Sequence, residues 1–397
     1  MQYGFLSTLI PASMDEKVRT LSSNNMQDAA NAFQWHLYNG FCKNLCEKVE
    51  LINILPIGSF PQYYKEPFIK EGVFATDYSD DNINVGFCNI KFLRKFLQPT
   101  KIYKALLRWY KKSDDEKTLF VYTVSSPFMK AVEKLKKNFP NVKVCAIIAD
   151  LPDMTSLSSK KSMTQKLFEK FLASDSYSRI DCIDYFVLLT KHMADYMGIK
   201  KPFCVVEGIS THIDNIAFEK SDTKNILYTG TLHKRFGIMN LVSAFKMIDN
   251  EDYRLIICGI GDSKDEIMEE AKKDSRIIYK GQLPREEILK LQQRASCLVN
   301  PRQANEEFTK YSFPSKNLEY LSTGIPVVAY KLPGIPDEYD DYIFYVKDNS
   351  VEILKDKLLE VCRNETSAKE KAEKAKDFVL NNKNEVTQTK IILDMLR

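Results

Sequence analysis

Residues 311–330 read YSFPSKNLEYLSTGIPVVAY, and they set three serines, a proline, a lysine and a glutamate ahead of an apolar run. Ser312 or Phe313 falls where a helix would be capped, with Pro314 in the first turn, a position that tolerates proline. A helix start has free N–H groups and the positive end of the helix dipole, so it attracts phosphate. Ser312 and Ser315 add hydroxyl donors, while Lys316 and the upstream Arg302 add full charges. Glu319 lies one turn beyond Ser315 on the same face, where a carboxylate can accept hydrogen bonds from two adjacent ribose hydroxyls. Gly324 closes the helix, and IPVVAY re-enters a sheet. The stretch has the parts of a diphosphate and ribose clamp. An ordinary capped helix before a core strand carries the same local pattern.

Other residues share this chemistry. Gly230-Thr231, Gly259-Ile-Gly261 and Gly281-Gln282-Leu283 each follow an apolar run, and glycines at strand ends let a ligand approach the backbone. Each alone is equally a tight turn. Asp150 ends KVCAIIA and precedes Leu-Pro, which places a carboxylate at the edge of a sheet, able to orient or deprotonate a hydroxyl or to cap the turn. Gly58-Ser59 ends an earlier strand, as an acceptor-side loop or a bare turn.

Elements must hold these residues in place. Apolar runs alternate with helical patterns along the whole chain, which predicts doubly wound α/β structure with parallel strands buried on both faces. In the first half the strands fall near 3–9, 49–54, 118–123, 143–149, 185–190 and 203–207, with helices near 26–46, 100–112, 127–138, 161–174 and 191–197. The pattern restarts after the polar stretch FEKSDTKN. The expected domains are 1–215, 216–365 and a helical tail, 366–397. In such sheets ligands bind beyond the carboxyl ends of the strands, so a cleft between the two domains is expected to hold the chemistry.

Composition narrows the classes. With 44% hydrophobic and 28% charged residues and a net charge of +4, the 397-residue chain reads as a globular protein rather than a nucleic-acid binder. No run nears the roughly 20 apolar residues of a membrane span, and the start has no signal-peptide pattern. The nine cysteines and four histidines show no metal-ligand spacing, so reduced thiols, a cytoplasmic location, no protein-bound metal and no cofactor are expected. Residues 92–113 carry Arg94, Lys95, Lys101, Lys104, Arg108, Lys111 and Lys112, interleaved with Phe92, Phe96, Leu106, Leu107, Trp109 and Tyr110 and with no acid. That segment suits either an anionic membrane surface or a solvated amphipathic helix.

ILYTGTLHKRFGIMNLVSAF, YRLIICGIGD, YKGQLPREEI and YSFPSKNLEYLSTGIPVVAY follow one another in an order and spacing that resemble family 4 glycosyltransferases of GT-B fold. The likeness is to bacterial enzymes of capsular, exopolysaccharide or O-antigen synthesis. MQDAANAFQWHLYNG, IGSFP, IIADLPDMT and LLTKHMADYMG look like the acceptor domain of that group. The resemblance implies two Rossmann-like domains facing a cleft, with C-terminal helices crossing back to the first. It also implies retaining, metal-independent transfer of a sugar from a UDP- or GDP-linked donor to a saccharide acceptor, lipid-linked acceptors being common in the group. Glu319 matches the second acid of the family's E-x7-E motif, Gly230 its first phosphate loop, and Gly281 to Leu283 the loop that contacts the base. Tyr311 stands where the first acid is usual, and Thr231 and Phe236 where Arg and Lys are usual; Arg235, Arg302 and Lys316 are expected to supply the missing charge. A sugar-nucleotide epimerase or hydrolase, or an inactive nucleotide-binding scaffold, is the alternative. A dehydrogenase is disfavoured, because Lys264 stands where a third glycine should follow Gly259-x-Gly261.

Overall fold

The apolar runs that open each half of the chain form the centres of two largely parallel sheets. The computed structural model describes residues 1–23, 27–151, 174–213 and 223–397. Two units result, Met1–Ile209 with Glu385–Arg397, and Ser210–Asn384.

In the first unit the strands are β1 (Gln2–Ser7), β2 (Val49–Asn53), β3 (Phe68–Ile69), β4 (Gly72–Thr76), β5 (Ser79–Asn84), β6 (Phe87–Cys88), β7 (Lys117–Tyr122), β8 (Lys143–Ile148), β9 (Tyr185–Leu188) and β10 (Phe203–Val205). Eight of them form one sheet in the order β10-β9-β8-β7-β1-β2-β5-β4, and β3 pairs with β6 separately. Only β4 runs antiparallel within the large sheet. Every residue of β1, β2 and β7 is buried, as strands covered on both faces require. The helix Asp28–Leu45 packs Phe41 on Phe120 of β7, rings stacked at 4.0 Å.

The second unit has β11 (Lys224–Thr229), β12 (Tyr253–Cys258), β13 (Ile277–Gly281), β14 (Cys297–Asn300), β15 (Val327–Tyr330) and β16 (Phe344–Val346). They form an all-parallel sheet in the order β13-β12-β11-β14-β15-β16. The chain winds outward from β11 in one direction and then resumes at β14 on the other side. The topological switch point therefore lies between β11 and β14, the place where open α/β sheets hold ligands.

The expected domain limits at 215 and 365 differ from the observed ones at 209 and 384. The helix Glu365–Asn382 stays with the second unit because Ala368, Ala375 and Val379 are part of its core. The helix Glu385–Met395 joins the first, where Ile392 and Leu393 pack in the cluster that contains Phe41. A Cβ on Gly40 would lie 2.3 Å from the Glu385 carbonyl oxygen, so this close helix contact needs glycine there. Of the expected helix 161–174, all but residue 174 lies outside the described residues, as do residues 218–222 of the expected linker FEKSDTKN.

Candidate functional site

The second unit places its polar residues at the switch point. β11 ends at Thr229, and Gly230 follows with φ +148°. β14 ends at Asn300, and Arg302 follows. The helix Ser315–Leu321 then starts from Pro314, just beyond the two expected cap positions, Ser312 and Phe313. A Cβ on Gly230 would lie 2.0 Å from Lys316 Cε and 2.4 Å from its Nζ, so the absence of a side chain at 230 is what admits the lysine.

Neighbouring loops are tied together behind this point. The Gly230 N–H donates to the Cys258 carbonyl at 2.8 Å, and the Gly259 N–H donates to the Gly281 carbonyl at 2.7 Å. A Cβ on Gly259 would fall 1.7 Å from the Gly230 oxygen, and Gly259 has φ +137°. Tyr279 Oη donates to the Gly259 carbonyl at 2.9 Å. Gln282 is exposed beyond β13, whereas Leu283 packs against the core.

Two cations meet here without an anion. Among the described residues neither Arg302 nor Lys316 has a carboxylate within 4.0 Å. Burial lowers the Arg302 pKa to about 10 and also pulls the Lys316 ammonium below the ordinary lysine value, with Glu319 opposing that shift. Arg302 lies over the rings of Phe236 and Phe308, at 4.3 and 5.6 Å from their centroids. Half-buried cations held this way suit a polyanionic ligand.

Arg235 has a different setting. Its Nη2 is 2.6 Å from Glu306 Oε2, and its guanidinium lies 4.4 Å from the centre of the Phe308 ring. Glu306 is thereby paired with Arg235. Tyr311 Oη donates to Glu307 Oε1 at 3.4 Å, and Ser312 Oγ donates to the Phe308 carbonyl at 3.1 Å. Ser315 and Thr231 are exposed.

Glu319 is oriented by residues that the sequence reading did not single out. Gln292, fully buried at the end of the helix Arg285–Gln293, donates from Nε2 to Glu319 Oε1 at 2.5 Å and to Thr229 Oγ1 at 3.2 Å. Tyr320 Oη accepts from the Thr229 N–H at 2.9 Å and donates to the Thr229 carbonyl at 3.1 Å. The only sequence signal was Gln292-Gln293 on the buried side of an otherwise charged helix.

The first unit holds the remaining expected residues. Asp150 follows β8. Its side chain reaches the surface, but its crowded surroundings remove enough solvent to raise its pKa to about 6. Its charge helps to raise the pKa of the buried Tyr122 phenol. Gly58 and Ser59 form a tight turn: Asn89 Nδ2 donates to the Gly58 carbonyl at 2.9 Å, and a Cβ on Gly58 would lie 2.2 Å from Tyr63 Cβ. Among the described residues no cluster of three or more His, Cys, Asp or Glu could hold a metal ion.

Comparison with known proteins bears on the fold. Residues 210–379 match the family of glycosyl transferases, group 1. That match spans most of the second unit. Solved structures of similar fold include a sucrose-phosphate synthase from Thermosynechococcus elongatus (TM-score 0.67, 14% identity, 100% of this chain and 98% of that one). The lipopolysaccharide outer core galactosyltransferase WaaB is also similar (TM-score 0.62, 14% identity, covering 100% and 99%). So is the E. coli trehalose-6-phosphate protein bound with UDP-2-fluoro glucose (TM-score 0.66, 8% identity, covering 99% and 99%). No curated protein sequence matches the chain. The fold is GT-B, with two Rossmann-like domains.

Proposed function

We propose that this protein is a retaining glycosyltransferase of the family 4 type, which moves a hexosyl group from a nucleotide-sugar to a saccharide acceptor. The observation that carries the reading is the pair of unmatched cations, Arg302 and Lys316, at the switch point beside Gly230, with Glu319 one turn further along the same helix. The cations bind the diphosphate, and Glu319 accepts from the ribose hydroxyls. The UDP-sugar bound by a protein of similar fold supports a UDP-linked donor.

The reaction needs negative charge stabilised on the leaving diphosphate as the glycosidic bond to it breaks. Arg302 and Lys316 serve that need, and preorganised charge of this kind is a main source of catalysis. The leaving phosphate oxygen takes the acceptor proton, and Asp150 orients the acceptor hydroxyl. No metal takes part in this scheme. A lipid-linked saccharide of bacterial surface polysaccharide, presented at the cytoplasmic face of the membrane, is the proposed acceptor class.

Thermal shift with UDP, GDP, dTDP, CMP and ADP tests the reading. One nucleoside diphosphate is expected to stabilise the wild type and to fail with Glu319→Ala. No shift with any of them would reject the clamp. Product analysis with the donor that binds separates transfer to an acceptor from epimerisation or hydrolysis.

A further inference from the structure

The helix Lys91–Tyr110 is packed with its polarity reversed over its first half. Its inward face carries Arg94, Gln98, Ile102, Ala105, Leu106 and Trp109, spaced at three and four residues as one helical stripe. Arg94 Nη1 donates to the Ile57 carbonyl at 2.7 Å and to Asn89 Oδ1 at 3.2 Å, and its guanidinium lies over the Phe87 ring. The outward face of the same turns carries Phe92, Leu93, Phe96 and Leu97, exposed by 71%, 48%, 78% and 47%. A helix that spends an arginine on the interior and leaves two phenylalanines outside is not arranged for water alone.

Charge then selects what covers this face. Lys91, Lys101 and Lys104 are exposed beside it, and among the described residues none has an ion-pair partner. Arg108 is engaged by both oxygens of Glu71. No acidic residue lies between Asp81 and Asp114. The surface is therefore an apolar ridge bordered by cations, standing out from the helix rather than forming a groove. A flat layer with an apolar interior and an anionic surface is complementary to it on both counts. Among the described residues no helix is long and apolar enough to cross a membrane, so contact would be at interfacial depth.

We infer that the first two turns of this helix dock the protein on an anionic lipid bilayer, with Phe92, Leu93, Phe96 and Leu97 inserted among the acyl chains and Lys91, Lys101 and Lys104 at the headgroups. The sequence reading assigned Leu106 and Trp109 to such a surface, but the structure buries both in the protein. The insertion is confined to the amino-terminal half. The inference shares the membrane with the proposed acceptor class, but it is argued from this helix alone, and vesicle binding is read without any turnover.

Flotation of the full chain with phosphatidylcholine vesicles, with and without phosphatidylglycerol, tests it. The wild type is expected to float with the anionic vesicles and to be released by salt. Phe92→Ser with Phe96→Ser should cut partitioning by at least about tenfold, and Lys101→Glu with Lys104→Glu should abolish the preference for phosphatidylglycerol. All four side chains are exposed, so thermal stability should stay unchanged and report intact folding. No flotation, or equal flotation of wild type and the double phenylalanine variant, would overturn the inference. So would sedimentation showing a dimer that the phenylalanine variant dissociates and no vesicle binding, since a second copy would then cover the ridge.

Discussion

Gln292 and Glu319 form a partly buried amide–carboxylate contact of 2.5 Å, and the same Gln292 nitrogen also reaches Thr229 Oγ1 at 3.2 Å. The end of β11 and the proposed ribose ligand are thus held by one side chain from a third element. Fixing one carboxylate oxygen leaves the other to meet a ligand without first losing rotamer freedom.

Glu319→Ala should weaken binding of the preferred nucleoside diphosphate by about ten- to a hundredfold, the range for a hydrogen bond to a charged group. Gln292→Leu should weaken it by a smaller factor, about two- to tenfold, because it removes orientation rather than contact. Calorimetry with the ribonucleotide and its 2′-deoxy analogue checks both. The two substitutions should matter much less for the deoxy form.

Lys316→Ala should lower turnover by about ten- to a hundredfold, since the missing charge acts on the leaving group. Lys316 carries its proton less firmly than an ordinary lysine because of burial. The wild-type rate should therefore fall on the alkaline side below the ordinary lysine pKa of about 10.4. Lys316→Arg should move that limb to higher pH. A kcat/KM profile reads the difference.

Asp150 has its pKa raised to about 6, so the native state holds a proton there that the unfolded chain has released. Stability from this group declines as pH rises from the ordinary aspartate range through about 6, the sign opposite to that of a salt-bridged carboxylate. Asp150→Asn should remove this slope in urea titrations at pH 4 to 7 (about the span between the two pKa values). If the ionised form orients the acceptor, the same substitution should also abolish an acid limb in kcat/KM near that value.

Tyr320→Phe should destabilise the second unit by about 1–3 kcal/mol, because the Thr229 N–H and carbonyl lose a buried partner. Urea denaturation followed by circular dichroism measures the loss. Nucleotide affinity should fall as well, since Thr229 positions Gly230.

Much of this architecture was legible because buried parallel strands are written as continuous apolar runs: LFVYTV and KVCAIIA both became strands close to their expected bounds. The region 68–88 was missed. Two of its strands have only two residues, and β5, SDDNIN, is too polar to announce itself. The helix expected near 100–112 starts at Lys91, so Pro99 lies inside it. The clamp was readable in part, since Lys316, Glu319 and Gly230 belong to local patterns. Gln292 was not, because its role depends on the helix Arg285–Gln293 folding beneath a residue far along the chain. Nor did charge alone reveal that Glu306 pairs with Arg235, a matter of loop conformation.

The chain leaves the first unit after Ile209 and returns to it only at Glu385. Where it enters and leaves the second, the Ser210 N–H donates to the Lys383 carbonyl at 2.7 Å, so both passages run side by side. This connectivity sets an order of assembly on the ribosome. The second unit has all its residues while the first still lacks the helix that covers Gly40 and Phe41. The part of the protein made first is thus the last to be finished, and until then its Asp28–Leu45 helix keeps an open apolar face for chaperones to recognise.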